Sequence, residues 1–198
     1  MSALKVEGLR VVIGDRPVVD GVSITVEPGE CLAIVGESGA GKSMIAHALL
    51  GLVPAGAAVT ADTLEVDGVE LRASDERAWR DVRGSRIALV SQDALVSLDP
   101  FRRIGREIEE PLEIHRVGPR AERLRRAALA LEAVAMPDVP RRMQAYSHEL
   151  SGGLRQRALI AAARVTAPRL RIAPELTPAL AATVQLRILP RLREIVDA

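Results

Sequence analysis

The stretch Gly36-Glu37-Ser38-Gly39-Ala40-Gly41-Lys42-Ser43 decides the fold. It matches the pattern G-x-x-x-x-G-K-[ST], in which glycines let successive backbone N–H groups face one anion. Lys42 is able to reach the terminal phosphates of a nucleoside triphosphate, and the Ser43 hydroxyl is a ligand for Mg²⁺. The residues predicted to contact the nucleotide are Gly36, Glu37, Ser38, Gly39, Ala40, Gly41, Lys42, Ser43 and Met44.

The sequence on both sides of this loop predicts a strand before it and a helix after it. Residues 31–35 form an uninterrupted apolar run, typical of a strand covered on both faces, with the Cys31 thiol buried. A short apolar helix is expected behind the loop, ending near Gly51. A loop between a strand and a helix is the context in which this pattern binds phosphate.

The rest of the chain alternates between strand and helix patterns. Alternation in residues 4–9 and 22–26 predicts strands, and Asp67-Gly68 between short apolar runs predicts a type I′ hairpin. Residues 87–90 and 170–173 predict two further strands. In the segment between them, the apolar residues are mostly spaced as in an amphipathic helix. A closing helix is expected over residues 181–196. The predicted class is α/β, with an antiparallel β subdomain and a helical insertion near residues 95–150.

Composition excludes several classes of protein. The 198 residues carry 27 Lys and Arg against 26 Asp and Glu, and a net charge of +1 does not favour a nucleic-acid clamp. A single cysteine excludes a disulfide scaffold and a cysteine-built metal site. Residues 44–61 lack charged side chains, but glycine and proline interrupt them, so we expect a buried helix and a loop, not a membrane span.

A second glycine motif separates the classes of triphosphate-binding protein. Leu150-Ser151-Gly152-Gly153 is followed by Arg155-Gln156-Arg157, and a serine with two glycines at a helix start makes a second anion site. With the upstream loop, the chain resembles ABC-type ATPases, whose signature reads LSGGQ before a basic helix start. The resemblance implies a P-loop NTPase (RecA-like) core, and a head-to-tail dimer in which Ser151, Gly152 and Gly153 meet the γ-phosphate of ATP held by the other subunit.

The resemblance also implies a Mg²⁺-contacting glutamine and a transport partner. Gln92 follows the predicted strand 87–90 and matches the family's Q-loop glutamine. Ser97-Leu98-Asp99-Pro100 resembles the dipeptide, oligopeptide and nickel importer branch. The implied protein is the ATP-binding subunit of a transporter for a peptide-like or metal solute. It would be cytoplasmic and peripheral on the inner face of the cell membrane. Its implied partners are transmembrane permease subunits and an identical or different second ATP-binding subunit, with no nucleic acid.

The sequence departs from the family pattern where catalysis is concerned. Pro174 stands where the family has an aspartate supporting Mg²⁺, whereas Glu175 remains where the family has the residue that polarises the attacking water. Ala181 replaces the aspartate of the following loop, and Leu154 replaces the signature glutamine. Because phosphoryl transfer relies on positioned charge, we expect nucleotide binding to survive better than hydrolysis.

Two further differences concern the base and the end of the chain. The family stacks an aromatic side chain on adenine, and neither Val12 nor Ile13 is able to stack. The sequence stops at Ala198, ahead of the strands and the switch histidine expected from the resemblance. Two alternatives therefore stay open beside the transporter subunit. One is a degenerate nucleotide-binding module with little or no ATPase activity. The other is a soluble ABC ATPase of DNA repair or translation, against which the balanced charge counts.

Overall fold

The structure is a computed structural model that describes residues 2–37, 39–90 and 97–173. Two compact units divide the chain, one up to Val82 and one from Arg83 to Ala173. The predicted closing helix at 181–196 lies outside the described residues, as do Ser38, Gln92, Pro174, Glu175 and Ala181.

An antiparallel sheet is the framework of the first unit. Strand β1 (Leu4–Ile13) pairs with β2 (Arg16–Val26) on one edge. Its other edge pairs with β4 (Thr63–Val66) near its start and with β3 (Ala57–Thr60) near its end. Strand β5 (Val69–Glu70) extends the sheet beyond β4. The predicted strands at 4–9 and 22–26 are confirmed, and both run longer than the alternating residues alone indicated.

Gly8 explains why the apolar residues of β1 depart from strict alternation. Val6 and Leu9 are both fully buried although they are three positions apart. The pairing with β2 shifts register between these two residues, where Gly8 has a φ of +62°. The extra residue at this bulge returns Leu9 and Val11 to the core face of the sheet.

The Asp67-Gly68 hairpin is confirmed. Both residues have positive φ, 47° and 78°, as a type I′ turn requires. Strands β4 and β5 pair on either side of it, and Leu64 and Val66 are buried beneath. Helix α2 (Glu76–Val82) follows, with Trp79 in the core, where its Nε1 donates to the Arg72 carbonyl over 3.0 Å.

The predicted helix behind the glycine-rich loop is confirmed as α1 (Lys42–Leu49), and Gly51 follows its C-cap. Its buried residues are Ile45, Ala46, Ala48 and Leu49, and the helix contacts β2. The uncharged stretch 44–61 is therefore divided between α1, a turn and β3. Within the ranges that the structure describes, no helix has the length and hydropathy needed to span a membrane.

The prediction of a buried strand over residues 31–35 is wrong. This run has no regular structure, Leu32, Ile34 and Val35 are 48%, 43% and 78% exposed, and the thiol of Cys31 is also exposed. An apolar run indicates that a segment has side chains suited to burial. A strand also needs a neighbouring strand to form hydrogen bonds with its backbone N–H and C=O groups. None of the strands within 2–37, 39–90 and 97–173 pairs with it.

The second unit combines helices with a parallel strand pair. Strands β6 (Ile87–Leu89) and β7 (Leu170–Ile172) confirm the predictions at 87–90 and 170–173, and they pair in parallel. The α-helices that the structure describes between them from residue 100 onward are α3 (Ile104–Ile114), α4 (Arg120–Ala133), α5 (Val139–Gln144) and α6 (Gly152–Arg164). A single 3₁₀ turn (Ser147–Glu149) precedes α6. This confirms the helical pattern expected in this part of the chain.

The helices enclose an apolar cluster and the fully buried carboxylate of Glu109. Members of the cluster come from the helices and from the segments beside them, and include Leu98, Ile104, Ile108, Leu112, Leu131, Val139, Leu150, Ala158 and Ala161. Glu109 on α3 is fully buried, but its oxygens accept from Arg106 over 2.7 Å and from Arg123 over 3.2 Å. The two arginines compensate the charge of Glu109, so its burial is explained by the packing of α3 on α4 and requires no ligand.

Candidate nucleotide-binding site

Lys42 is held in the curve of the glycine-rich loop. Its Nζ donates to the carbonyl of Gly36 over 2.7 Å and to that of Glu37 over 2.6 Å. The loop is closed further by a hydrogen bond of 3.2 Å from the Ala40 amide to the Glu37 carbonyl. The ammonium group therefore lies where the loop folds back on the start of α1. Its N–H groups point at backbone carbonyl oxygens, which phosphate oxygens are able to replace as acceptors.

Two glycines give the loop its path. Gly39 and Gly41 have φ values of +83° and +84°, in the left-handed region that side chains other than glycine rarely adopt. At Gly41 there is also no room, because an added Cβ would lie 2.7 Å from the Val18 carbonyl oxygen. The pattern therefore requires glycine at position 41 for two separate reasons, backbone conformation and contact with β2.

The start of α1 is an uncompensated positive helix end. Gly41 is the N-cap and provides no side-chain cap, and the first turn contains no acidic residue. The first intrahelical hydrogen bond of this turn runs over 3.0 Å from the Ile45 amide to the Gly41 carbonyl. The amides of Lys42, Ser43 and Met44 have no acceptor within the helix. Free amides and the helix dipole together suit a phosphate group.

Ser43 supplies the hydroxyl expected for a metal ion bound together with phosphate. Its side chain is exposed in the first turn of α1, next to Lys42. Within the part of the chain that the structure describes, no group of three or more His, Cys, Asp and Glu could hold a metal by itself. A Mg²⁺ ion bound through one hydroxyl and substrate phosphates needs no such group, so the donors present fit it.

A cavity adjoins the loop. Of its lining residues, only Ile13 and Gly39 had been singled out from the sequence. The cavity measures about 490 Å³ and is lined by Ile13, Arg16, Pro17, Val18 and Gly39. Residues 13 and 16 are paired across the β1–β2 turn. The sequence signal that could have predicted the position of Arg16 is the pair Gly14-Asp15. A two-residue turn places its flanking residues, here Ile13 and Arg16, opposite each other.

The serine and glycines of the second motif begin α6. Ser151 is the N-cap, and its Oγ accepts from the Leu154 amide over 3.4 Å. Gly152 and Gly153 are exposed, and a Cβ on either would meet nothing within 4 Å. Arg155 Nε donates to the Leu150 carbonyl over 3.1 Å and so fixes the entry to the helix. The motif thus presents an open helix start on the surface of the second unit.

The structure brings the predicted residues together in two groups. Gly36, Glu37, Gly39, Ala40, Gly41, Lys42, Ser43 and Met44 belong to the first unit, and Ser151, Gly152 and Gly153 belong to the second. The three other predicted site residues, Ser38, Gln92 and Glu175, lie outside the described residues.

A glycine-rich loop that leads through a lysine into a helix, beside an antiparallel sheet, defines a phosphate-binding-loop nucleotide-binding protein. The chain belongs to the ABC transporter family, whose family model matches residues 19–177.

Curated relatives lie in the importer branch. The dipeptide transport ATP-binding protein DppD of Escherichia coli (strain K12) is 39% identical over 199 residues, which cover 98% of this chain and 61% of that protein. The oligopeptide transport ATP-binding protein OppD of Salmonella typhimurium (strain LT2) is 39% identical over 196 residues, 97% of this chain and 58% of that protein. The predicted family and branch are confirmed. The chain spans about three fifths of the length of these relatives.

Solved structures confirm the fold class. CbiO1 of Clostridium perfringens, part of the ABC transporter complex cbiONQ, gives a TM-score of 0.76 at 24% identity, covering 99% of this chain and 74% of that chain. The bacterial ABC transporter cassette MJ0796, solved as a dimer, gives a TM-score of 0.75 at 24% identity. The match covers 98% of this chain and 83% of that chain. The P-loop NTPase class with an antiparallel sheet, predicted from the sequence, is therefore confirmed.

Proposed function

We propose that this chain is the ATP-binding subunit of an importer for a peptide-like or metal solute, in which ATP binding and hydrolysis are coupled to transport. The observation that carries the proposal is Lys42, with its ammonium held between the Gly36 and Glu37 carbonyls at an uncapped helix start. Membership of the ABC transporter family supports ATP as the nucleotide. Relatives named for dipeptide and oligopeptide transport favour a peptide-like solute over a metal.

Binding is an exchange of hydrogen-bond acceptors. Oxygens of the β- and γ-phosphates replace the carbonyls of Gly36 and Glu37 as partners of the Lys42 ammonium, and charged acceptors form the stronger bonds. The amides of Lys42, Ser43 and Met44 receive the remaining oxygens, and the dipole of α1 favours their charge. Ser43, with Gln92, would hold Mg²⁺, which when bound neutralises charge on the phosphate oxygens.

Hydrolysis needs groups from two subunits. Glu175 is the proposed residue that orients and polarises the attacking water. Ser151, Gly152 and Gly153 of a second ATP-binding subunit would face the γ-phosphate with their open helix start. The exposure of both glycines supports this role, because nothing within 4 Å of their Cβ positions obstructs an approaching phosphate. The MJ0796 cassette, a structural neighbour, has been solved as a dimer and in a state bound to ADP and Pi.

A second candidate function follows from Pro174. A proline offers no carboxylate at the position where the resemblance places an aspartate supporting Mg²⁺. The phosphate loop does not depend on this position for its grip on ATP. The second candidate is therefore a nucleotide-binding module that binds ATP and hydrolyses it slowly or not at all.

The proposed partners and location follow from the transporter role. Permease subunits in the membrane would bind this chain at the cytoplasmic face, and the helices near residues 95–150 would form its helical subdomain. The second ATP-binding subunit is either another copy of this chain or a related one.

Calorimetric titration of the chain with ATP and Mg²⁺, paired with a phosphate-release assay, tests the proposal. Saturable ATP binding is expected, with measurable phosphate release for the transporter subunit and none for the binding module. Co-purification with a membrane permease distinguishes a transport subunit from a soluble ABC ATPase. Absence of any heat change with millimolar ATP in folded protein would contradict both candidates.

A further inference from the structure

The cavity beside the phosphate loop has the size and position of a site for the nucleoside part of the ligand. Its volume of about 490 Å³ lies within the range of small-molecule sites. Gly39 of the loop forms part of its wall. Val18, another lining residue, brings its carbonyl to 2.7 Å from where a Cβ of Gly41 would lie. A nucleotide whose phosphates lie at the start of α1 therefore has this cavity next to it.

The lining offers only one kind of strong interaction to a base. Ile13, Pro17 and Val18 have apolar side chains, and Gly39 has none, so Arg16 is the one charged side chain among the lining residues the structure describes. None of these residues is aromatic. A planar guanidinium is the group here that is able to stack on a planar base.

The guanidinium of Arg16 is available for a ligand. It forms no ion pair or hydrogen bond with any residue in the ranges that the structure describes. Arg10, on the same hairpin, is instead paired with Asp20 over 3.2 Å. Arg16 is also directly opposite Ile13 in the β1–β2 pairing, so the two side chains share one face of the hairpin.

Resting on the proposed ATP site, we propose that Arg16 is the base-binding residue of this protein. Its guanidinium plane stacks on the purine of ATP, while Ile13, Pro17 and Val18 exclude water from the rest of the ring. This assigns to a cation the stacking contact that Val12 and Ile13 are unable to make. The alternative role for an arginine in this place, a charge contact with phosphate, predicts a different pattern of binding.

Titration with two ligands separates these roles. The full 198-residue chain is titrated with ATP and with inorganic tripolyphosphate, both with Mg²⁺, and compared with the Arg16→Ala, Arg16→Lys and Arg10→Ala variants. We expect Arg16→Ala to weaken ATP binding about three- to tenfold and to leave tripolyphosphate binding unchanged. Arg16→Lys should lose as much, because an ammonium keeps the charge without the plane. Arg10→Ala should match the parent chain.

Several results would overturn the assignment. Equal weakening of ATP and tripolyphosphate would show a phosphate contact, and full ATP affinity in Arg16→Ala or Arg16→Lys would show that no stacking occurs. Equal affinity of the parent for both ligands would show that the base contributes nothing, while leaving the phosphate site intact. A parent chain that binds neither ligand would overturn the proposed function as well.

Discussion

The carbonyl oxygen of Val18 lies so close to Gly41 that a single methyl group would not fit between them, since a Cβ at position 41 would lie 2.7 Å from this oxygen. The contact joins β2 to the N-cap of α1 and so fixes the start of the helix against the sheet. The last glycine of the loop is thus set by packing as well as by its backbone angle.

Gly41→Ala is expected to destabilise the chain and to abolish ATP binding. The left-handed φ of +84° costs an alanine about 1–2 kcal/mol, and relief of the clash moves α1 or β2. Chemical unfolding and ATP titration measure the two effects. Gly29→Ala is the matched control, because Gly29 has a φ of +80° with nothing near its Cβ position. If both variants lose the same stability and bind ATP alike, the contact with Val18 has no role.

Gly153→Asp is expected to prevent ATP-dependent dimerisation and to leave ATP binding by the single subunit unchanged. The position is open, and a carboxylate in the first turn of α6 favours the helix. The same carboxylate would repel the γ-phosphate of an opposing subunit. Light scattering with and without ATP measures the dimer, and Gly153→Ala should still dimerise. A Gly153→Asp variant that dimerises normally would show that this helix start does not face phosphate.

Pro174→Asp is expected to raise the rate of ATP hydrolysis. It supplies the carboxylate missing from the proposed Mg²⁺ environment, and a tenfold gain would correspond to about 1.4 kcal/mol of barrier. Phosphate release under saturating ATP is the measurement, and Pro178→Asp adds the same charge to the same stretch as a control. A folded Pro174→Asp variant with parental ATP affinity and no faster release would rule out the missing carboxylate as the limit on hydrolysis.

Glu107 on α3 makes stability depend on pH. Burial raises the pKa of its carboxyl above the ordinary 4.5, although Arg102, 3.7 Å away, acts in the opposite direction. Its Oε1 is buried and has no hydrogen-bond partner among the described residues. The folded state therefore binds the proton of the Glu107 carboxyl more tightly than the unfolded chain does. The resulting contribution to the free energy of unfolding is fully present below pH 4.5. It is lost as pH rises toward the higher pKa of the folded state.

A neutral side chain at this position avoids the cost of burying the charge. Glu107→Gln is expected to stabilise the protein by up to about 1 kcal/mol at pH 7, with the advantage disappearing near pH 4. Chemical unfolding at the two pH values measures it. Glu110→Gln, at the more exposed partner of Arg102, should bring no such gain. A constant difference between Glu107→Gln and the parent at both pH values would contradict the assignment.

Local signals predicted the features that depend on a few neighbouring residues. Asp67-Gly68 encodes a turn through the two positive φ angles it tolerates, and the loop pattern encodes Gly41 and Lys42 through the conformation and reach they provide. The turn and the conformation of the loop need no partner from elsewhere in the chain, so the sequence was sufficient for them. The contact of Gly41 with Val18 does need such a partner, and the loop pattern alone did not predict it.

Features that depend on distant partners were harder to predict. The run at 31–35 has the composition of a buried strand, but pairing is a property of the neighbouring strand, and the described residues supply none. The bulge at Gly8 and the cavity at Arg16 likewise arise from register and packing between β1, β2 and the loop. The burial of Glu109 depends on Arg123 from the next helix, which periodicity on α3 alone does not reveal.

The central claim is that the Lys42 ammonium binds the phosphates of ATP, and calorimetric titration of Lys42→Ala tests it most directly. Lys5→Ala is the matched control, since Lys5 is on β1 and pairs with Glu7 over 3.1 Å. Loss of charge-assisted hydrogen bonds should weaken ATP binding by Lys42→Ala about a hundredfold, or ~2.7 kcal/mol, while Lys5→Ala binds as the parent does. A folded Lys42→Ala variant with the ATP affinity of the parent would contradict the claim.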